Sequence, residues 1–444
     1  MILLDLNTNQ PNPVLFKGER PTELKPETYY AYLDSVEQID HEFHIQFDCV
    51  VKNVVDDIQI STESLVELPS IIIKTKGAVD RIRDLFDNRN LYQQESKWMI
   101  IKTQFNKSES YITQSLYFNF QEVRVESSLI YNLESIRLFS DLNSVERSKI
   151  RELEKATTLE KSNEKEVISF LQSVDDRLQN QFSHVNVYKV GQGNCIGLVN
   201  SANRPLLYYD VGGGFNANAD TYPPNFKLCN TNNPPVILSH WDQDHYQTAV
   251  LDQEEKIFNS KWLAPIQKIG PTARHIAFAL ERRQNLICWN ESLPQRLDFT
   301  NFTIVKCTGN SKNKNSSGLA LFVNQQDNNH ILLPGDAKFE KIPDCSIEQF
   351  TGLVASHHGA YGEIKGLPVA NFPGMLVYSY GLHPDGSINS HKHPHEPAKT
   401  AYMNKGWCDV RETIKGSIAM STNLLDLQPE CGGRGCTLIV EQQY

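Results

Sequence analysis

Apolar and polar positions follow three different rhythms along the chain. In residues 1–126, Leu116, Phe118 and Phe120 alternate with Tyr117, Asn119 and Gln121, the period of a half-buried strand. Glu42 to Val55 and Lys97 to Gln104 read as further strands, and Val79, Ile82, Leu85 and Phe86 fall at helical spacing. This predicts a β-rich α+β accessory domain. Residues 127–182 are highly charged and read as a helical connector. Leu129, Ile130, Leu133 and Ile136 form one stripe there. Asn163 with Glu166 makes a capping box ahead of Val167, Ile168, Leu171, Val174 and Leu178. From 183 to 444, short apolar runs end in polar loops, at 185–190, 195–199, 205–210, 236–239, 302–305, 319–323, 331–333, 353–356 and 376–380. Helical segments fall between some of them, which predicts a layered α/β domain.

The loops after these runs carry the chemistry. Ser239-His240-Trp241-Asp242-Gln243-Asp244-His245 follows the apolar Val236-Ile237-Leu238 and gathers two imidazoles and two carboxylates. Burying such groups unpaired is costly, and a metal ion removes the cost. His240 and Asp242, two apart in an extended loop, can face one way, while Asp244 and His245 point to different sides, so two ions can be served. In the same order along the chain come Val190-Gly191-Gln192-Gly193-Asn194 before the cluster, and Leu207-Tyr208-Tyr209-Asp210-Val211-Gly212-Gly213. After it come Asn315-Ser316-Ser317, Leu333-Pro334-Gly335-Asp336, Ser356-His357-His358-Gly359, Tyr378-Ser379-Tyr380-Gly381 and His393-Pro394-His395.

This ordered set resembles the metallo-β-lactamase fold superfamily. The H-x-D-x-D-H form of its first motif looks like the hydrolase domain of ComEC-type DNA-uptake proteins. The resemblance covers roughly residues 183–444. It implies an αββα sandwich binding two divalent metal ions at one end of its sheets. His240 and Asp242 would hold the first metal, Asp244, His245 and His357 the second, and Asp336 would bridge them. Asp244 would orient the attacking water, and His358 or His393 would donate a proton or stabilise the leaving oxygen. His357 and His358 are adjacent, so side chains leaving a strand would diverge and only one would bind metal; His357 is favoured. His391, His393 and His395 alternate, and the resemblance singles out His393. A further histidine for the first metal is missing. His275 and His330 are the candidates, and neither stands where a strand-end ligand should. Three carboxylates harden the donor set, which moves the expected metal from zinc alone toward manganese or a mixed site.

Composition narrows the function. A formal net charge of −10 leaves no global basic face for nucleic acid, although Lys306, Lys312, Lys314, Lys338 and Lys341 flank the motifs. No apolar run approaches the roughly 20 residues of a membrane helix. The start lacks a basic region, so no signal peptide is expected. Nine cysteines without framework spacing read as free thiols in a reducing cytoplasm, with Cys431 and Cys436 in a Gly-rich turn or, alternatively, a zinc or redox pair. Gly212-Gly213-Gly214 is no dinucleotide fingerprint. His41 and His44 are poorly spaced to share an ion, so residues 1–126 are expected to contribute no ligand.

These readings converge on a cytoplasmic metal-dependent phosphodiesterase or nuclease acting on nucleic acid or nucleotides. An ester, lactone, thioester or amide hydrolase of the same fold is the first alternative; a non-catalytic, metal-stabilised interaction module is the second. Residues 1–182 would bind a partner protein or a second copy, by analogy within a bacterial antiviral defence system. A fragment of residues 183–444 is expected to keep its metal and some activity on a small model phosphodiester, unless removing the helices exposes too much apolar surface.

Overall fold

The computed structural model describes residues 28–420, apart from residues 40, 69, 106–112, 120–121, 130, 252–255, 311 and 326–328. The chain is α/β and divides into two units, Met1–Leu159 with Lys268–Ala279, and Glu160–Gln267 with Leu280–Tyr444. Cys431 and Cys436 lie outside the described residues. No helix among the described residues is long and apolar enough to cross a membrane.

The first unit is built on a seven-stranded antiparallel sheet, in the order Glu122–Leu129, Thr113–Asn119, Ser70–Ala78, Glu42–Val51, Thr28–Ile39, Trp98–Phe105 and Tyr131–Arg137. Successive residues of a strand face opposite sides. Tyr29, Ala31 and Leu33 therefore join one core with Phe43, Phe47 and Ile82 of the helix Val79–Leu85. Tyr30 and Tyr32 join another, with Trp98 and with Ile150 and Leu153 of the helix Ser144–Ala156. The segment from the second half of the sequence is tied in by buried polar groups. Asp48 accepts hydrogen bonds from Thr272 N at 2.8 Å and Thr272 Oγ1 at 2.9 Å. The imidazole of His275 lies 2.7 Å from the Pro271 carbonyl and 3.1 Å from that of Leu68.

Two local expectations change. The strand begun at Glu42 ends at Val51, and Lys52–Asp56 forms a short helix closed by a Lys52–Asp56 ion pair. The stripe of Leu133 and Ile136 is not helical. Tyr131–Arg137 is a strand paired to Trp98–Phe105, with a register shift between Lys102 and Thr103. Leu133 stands opposite Thr103 and Ile136 opposite Ile101, so the extra residue of the bulge puts both on one face. A spacing of three imitates a helix for that reason. Ile130 lies outside the described residues.

The second unit carries two seven-stranded sheets. One runs Leu286–Cys288, Trp262–Ala264, Val236–Ile237, Pro205–Val211, Cys195–Asn200, Phe182–Val187, Ile418–Met420. The other runs Arg296–Asp298, Phe302–Lys306, Leu319–Gln325, Asn329–Leu333, Phe350–Val354, Ala370–Tyr378, Trp407–Glu412. Leu207, Tyr209, Ile237 and Leu263 of the first sheet and Ile304, Leu321, Ile331 and Val377 of the second share one hydrophobic core. The helix Glu164–Leu178 belongs to it through Val167, Phe170, Leu171, Val174 and Leu178, and its N-cap Asn163 accepts from Glu166 N at 2.9 Å. The stretch read as one connector is thus shared out, with Tyr131–Arg137 and Ser144–Ala156 in the first unit and Glu164–Leu178 in the second. A separate core on the second sheet takes in Trp407 and, from the helix Glu396–Asn404, Ala398 and Tyr402. Each sheet has a parallel half, and ligands in open parallel sheets gather beyond the carboxyl ends of such strands.

Among the described cysteines, Cys49, Cys195, Cys288, Cys307, Cys345 and Cys408 are free thiols, while Cys229 is disulfide-bonded, a departure from the expectation of free thiols throughout.

Candidate metal centre

Strand ends deliver the site. Ser239 to His245 follow Val236–Ile237, Asp336 follows Asn329–Leu333, and His357 and His358 follow Phe350–Val354. Ser379 follows Ala370–Tyr378, and Asp210 stands near the end of Pro205–Val211. The turn at Asp244 is clamped from behind. Its carbonyl accepts from Asn194 N and Gly213 N, each at 3.1 Å. A Cβ at Gly212 would run into that same carbonyl, so only glycine fits beneath the turn. The two glycine-containing loops upstream of the cluster therefore hold its backbone.

Asp210 organises the imidazoles. It is buried and accepts from Ser239 N at 2.7 Å, Ser239 Oγ at 2.8 Å and His245 Nδ1 at 2.7 Å. An ionised carboxylate only accepts, so His245 carries its proton on Nδ1. The Ser239 hydroxyl is committed as donor to Asp210, so toward His240 Nδ1, at 2.9 Å, it acts as acceptor. His358 Nδ1 lies 2.7 Å from the Ser379 carbonyl and must donate to it. All three rings consequently turn Nε2 inward as the atom free of these outer partners. Such outer partners fix the tautomer of a metal-ligating histidine.

The inward atoms converge. His245 Nε2 lies 3.1 Å from Asp336 Oδ1 and 3.9 Å from Asp244 Oδ1. His240 Nε2 lies 3.2 Å from Asp242 Oδ2 and 3.8 Å from Asp336 Oδ2. His358 Nε2 lies 3.1 Å from Asp244 Oδ2, and His357 Nε2 3.6 Å from Asp336 Oδ2. Ligands about 2.1 Å from a common ion sit roughly 3.0–3.4 Å from one another. His240, His245 and Asp336 form one donor group, and Asp244, His245 and His358 a second, with the donor atoms of each within 4.8 Å of one another. His240 Nε2, His245 Nε2 and Asp336 Oδ1 are buried and turned toward one another and toward the neighbouring carboxylates. A divalent ion fits that set of inward atoms.

His357 and His358 both stand at the centre. Their φ angles are 49° and 56°, so the backbone here is left-handed and not a strand. His358 is buried on the Asp244 side, and His357, 24% exposed, lies on the Asp336 side with Asn315 Nδ2 3.5 Å from its Nδ1. His358 joins Asp244 and His245 in the second donor group, and His357, to which the sequence resemblance gave that place, stands beside Asp336 instead. His393 is buried, with its ring 5.2 Å from that of His357 and its Nδ1 3.5 Å from Gln192 Nε2. His395 is engaged by Tyr361 N at 3.2 Å and the His391 carbonyl at 3.1 Å. His330 meets Asn324 at 3.0 Å, and neither it nor His275 belongs to a donor group.

Charge is tightly coupled here. Burial alone would raise the carboxyl of Asp336, but His245 and His357 hold it well below the usual range. Burial also works against Asp244, which His245 and His358 keep low, and against Asp242, which Lys314 and His240 keep low. Burial pulls His245 down, yet Asp336 and Asp210 outweigh it and hold the imidazole well above its ordinary value. A metal at Nε2 would take the place of that proton.

Two groups escaped the sequence reading. Asp210 was visible as the end of a D-x-G strand but carried no role. Lys314 was one of five flanking lysines, and nothing local marked it as the one ion-paired to Asp242. Asp210→Asn should lower metal affinity about 10–100-fold, because Nδ1 of His245 loses its anionic partner. Calorimetric titration of the metal-free variant, with circular dichroism to verify folding, checks this; wild-type affinity in a folded variant contradicts it. No family model and no curated protein matches this chain.

Proposed function

We propose that this chain is a divalent-metal-dependent hydrolase with the αββα sandwich of the metallo-β-lactamase fold, resembling ComEC-type hydrolase domains. We infer that it acts as a phosphodiesterase or nuclease on nucleic acid or nucleotides. The observation that carries the reading is the convergence of the Nε2 atoms of His240, His245 and His358 with the carboxylates of Asp244 and Asp336, from loops far apart in sequence. Zinc or manganese suits that donor set. Such an ion acidifies water and polarises a phosphoryl oxygen. The chain's own residues supply the rest. Asp244 is partly exposed where Asp336 is buried, and it is the carboxylate to which we assign the attacking water. His358, whose Nδ1 is committed to the Ser379 carbonyl and whose Nε2 belongs to the donor set, has no proton to spare, so the proton for a leaving oxygen is assigned to His393, buried beside His357.

The test is a screen of the metal-loaded full chain against single- and double-stranded nucleic acids, cyclic nucleotides, bis-p-nitrophenyl phosphate and simple esters, with a chelator control. Phosphodiester cleavage that chelation abolishes is expected. Cleavage of esters alone, or turnover indifferent to chelation, refutes the assignment.

A further inference from the structure

Asp242 presents its two oxygens to two different groups. Oδ2 faces His240 Nε2 at 3.2 Å, and Oδ1 is ion-paired with Lys314 Nζ. The lysine side chain is only 3% exposed. It comes from an irregular loop, yet its backbone is fixed. Its carbonyl accepts from Gln267 Nε2 at 2.6 Å and Ser317 N at 3.3 Å, and Gln267 Nε2 also reaches Ser317 Oγ at 3.0 Å. The same Gln267 accepts from Trp241 N at 3.1 Å, next to His240. One glutamine therefore ties the lysine loop to the metal-binding loop. A buried ammonium is tolerated only against an anion, and Asp242 provides it.

The two donor groups are not equivalent. His245 belongs to both but has one inward nitrogen, so it serves one ion. If that ion lies among His245, Asp336 Oδ1, Asp244 and His358, the atoms left for another are His240 Nε2, Asp242 Oδ2 and the second oxygen of Asp336, with His357 Nε2 beside it. These lie on the side where the Lys314 ammonium is already fixed, and a divalent cation there would face a like charge at close range.

We propose that Lys314 takes the place of a second divalent ion, so the centre holds one tightly bound metal and one lysine ammonium. The inference rests on the metal-dependent reading above. Lys314 supplies a fixed positive charge on the His240–Asp242 side. A phosphodiester would meet the ion with one non-bridging oxygen and the ammonium with the other.

Stoichiometry tests this. Full-length metal-free protein is titrated with Mn²⁺ by calorimetry, and bound metal is measured by mass spectrometry after desalting. Wild type should retain about one equivalent, and the uncharged Lys314→Met variant about two, because the like-charge repulsion is gone. Lys314→Arg, which keeps the charge, should stay at the wild-type value. Electron paramagnetic resonance of wild type loaded with Mn²⁺ needs no variant and should give the signal of an isolated ion. A spin-coupled pair in wild type, or a folded Lys314→Met that takes up no further metal, overturns the role of the lysine and leaves the metal-dependent reading standing. Wild type that binds no Mn²⁺ or Zn²⁺ at all overturns both.

Discussion

Asp336→Ala and Asp244→Ala should each abolish hydrolysis while preserving a cooperative unfolding transition. Asp336 lies within ion-pair distance of His240, His245 and His357, so its loss strips the donor set of the carboxylate shared by three imidazoles. Asp244 faces His358 and His245 and is the more exposed of the two. Removing a direct ligand should cost more than the about 10–100-fold typical of removing a ligand's outer partner. The fold should survive, because both residues sit in loops beyond the strands and the large apolar core does not include them. Turnover with a phosphodiester substrate, bound metal, and melting followed by circular dichroism together check the claim. Variants with wild-type turnover would place the measured activity elsewhere.

A fragment of residues 183–444 should fail to fold cooperatively, whereas one beginning at residue 160 should fold with a lowered melting midpoint. This departs from the expectation drawn from the sequence motifs, which begin near residue 183. The helix Glu164–Leu178 buries Val167, Phe170, Leu171, Val174 and Leu178 in the core of the second unit. At about 1.5–3 kcal/mol for each buried side chain, the five together contribute roughly 7–15 kcal/mol. That equals the whole stability of an ordinary domain, about 5–15 kcal/mol. The longer fragment keeps the helix but loses the partners of Lys268–Ala279, including Asp48 with Thr272 and Leu68 with His275, hence the lowered midpoint. Calorimetric scans of both fragments beside the full chain decide it. A cooperative transition in the 183–444 fragment would show that the helix is dispensable.

Much of the site was legible because its chemistry is local. Ser239 to His245 stand directly after an apolar strand, and Asp336 and the His357-His358 pair stand after two more. Strands of the second unit were readable for the same reason, as buried parallel strands are short apolar runs bounded by polar loops. The short strands Trp262–Ala264, Leu286–Cys288 and Arg296–Asp298 escaped, since a run of three residues has no period to detect.

The sequence by itself therefore marked candidate metal-binding residues and the strand ends on which they stand, since residue type and the run before it are properties of adjacent positions. The tertiary structure decided the rest. A bulge put Leu133 and Ile136 on one strand face, although a spacing of three reads as helical. A left-handed backbone at His357 and His358 brought both imidazoles to the centre, although neighbours on a strand would diverge. Asp210 fixed the tautomer of His245 across a sequence separation of 35, and Lys314 reached Asp242 from a loop 72 residues away. Such choices depend on which distant group meets a buried charge. Hydrogen bonds and ion pairs act through space over a few ångströms, and only the folded chain sets those distances.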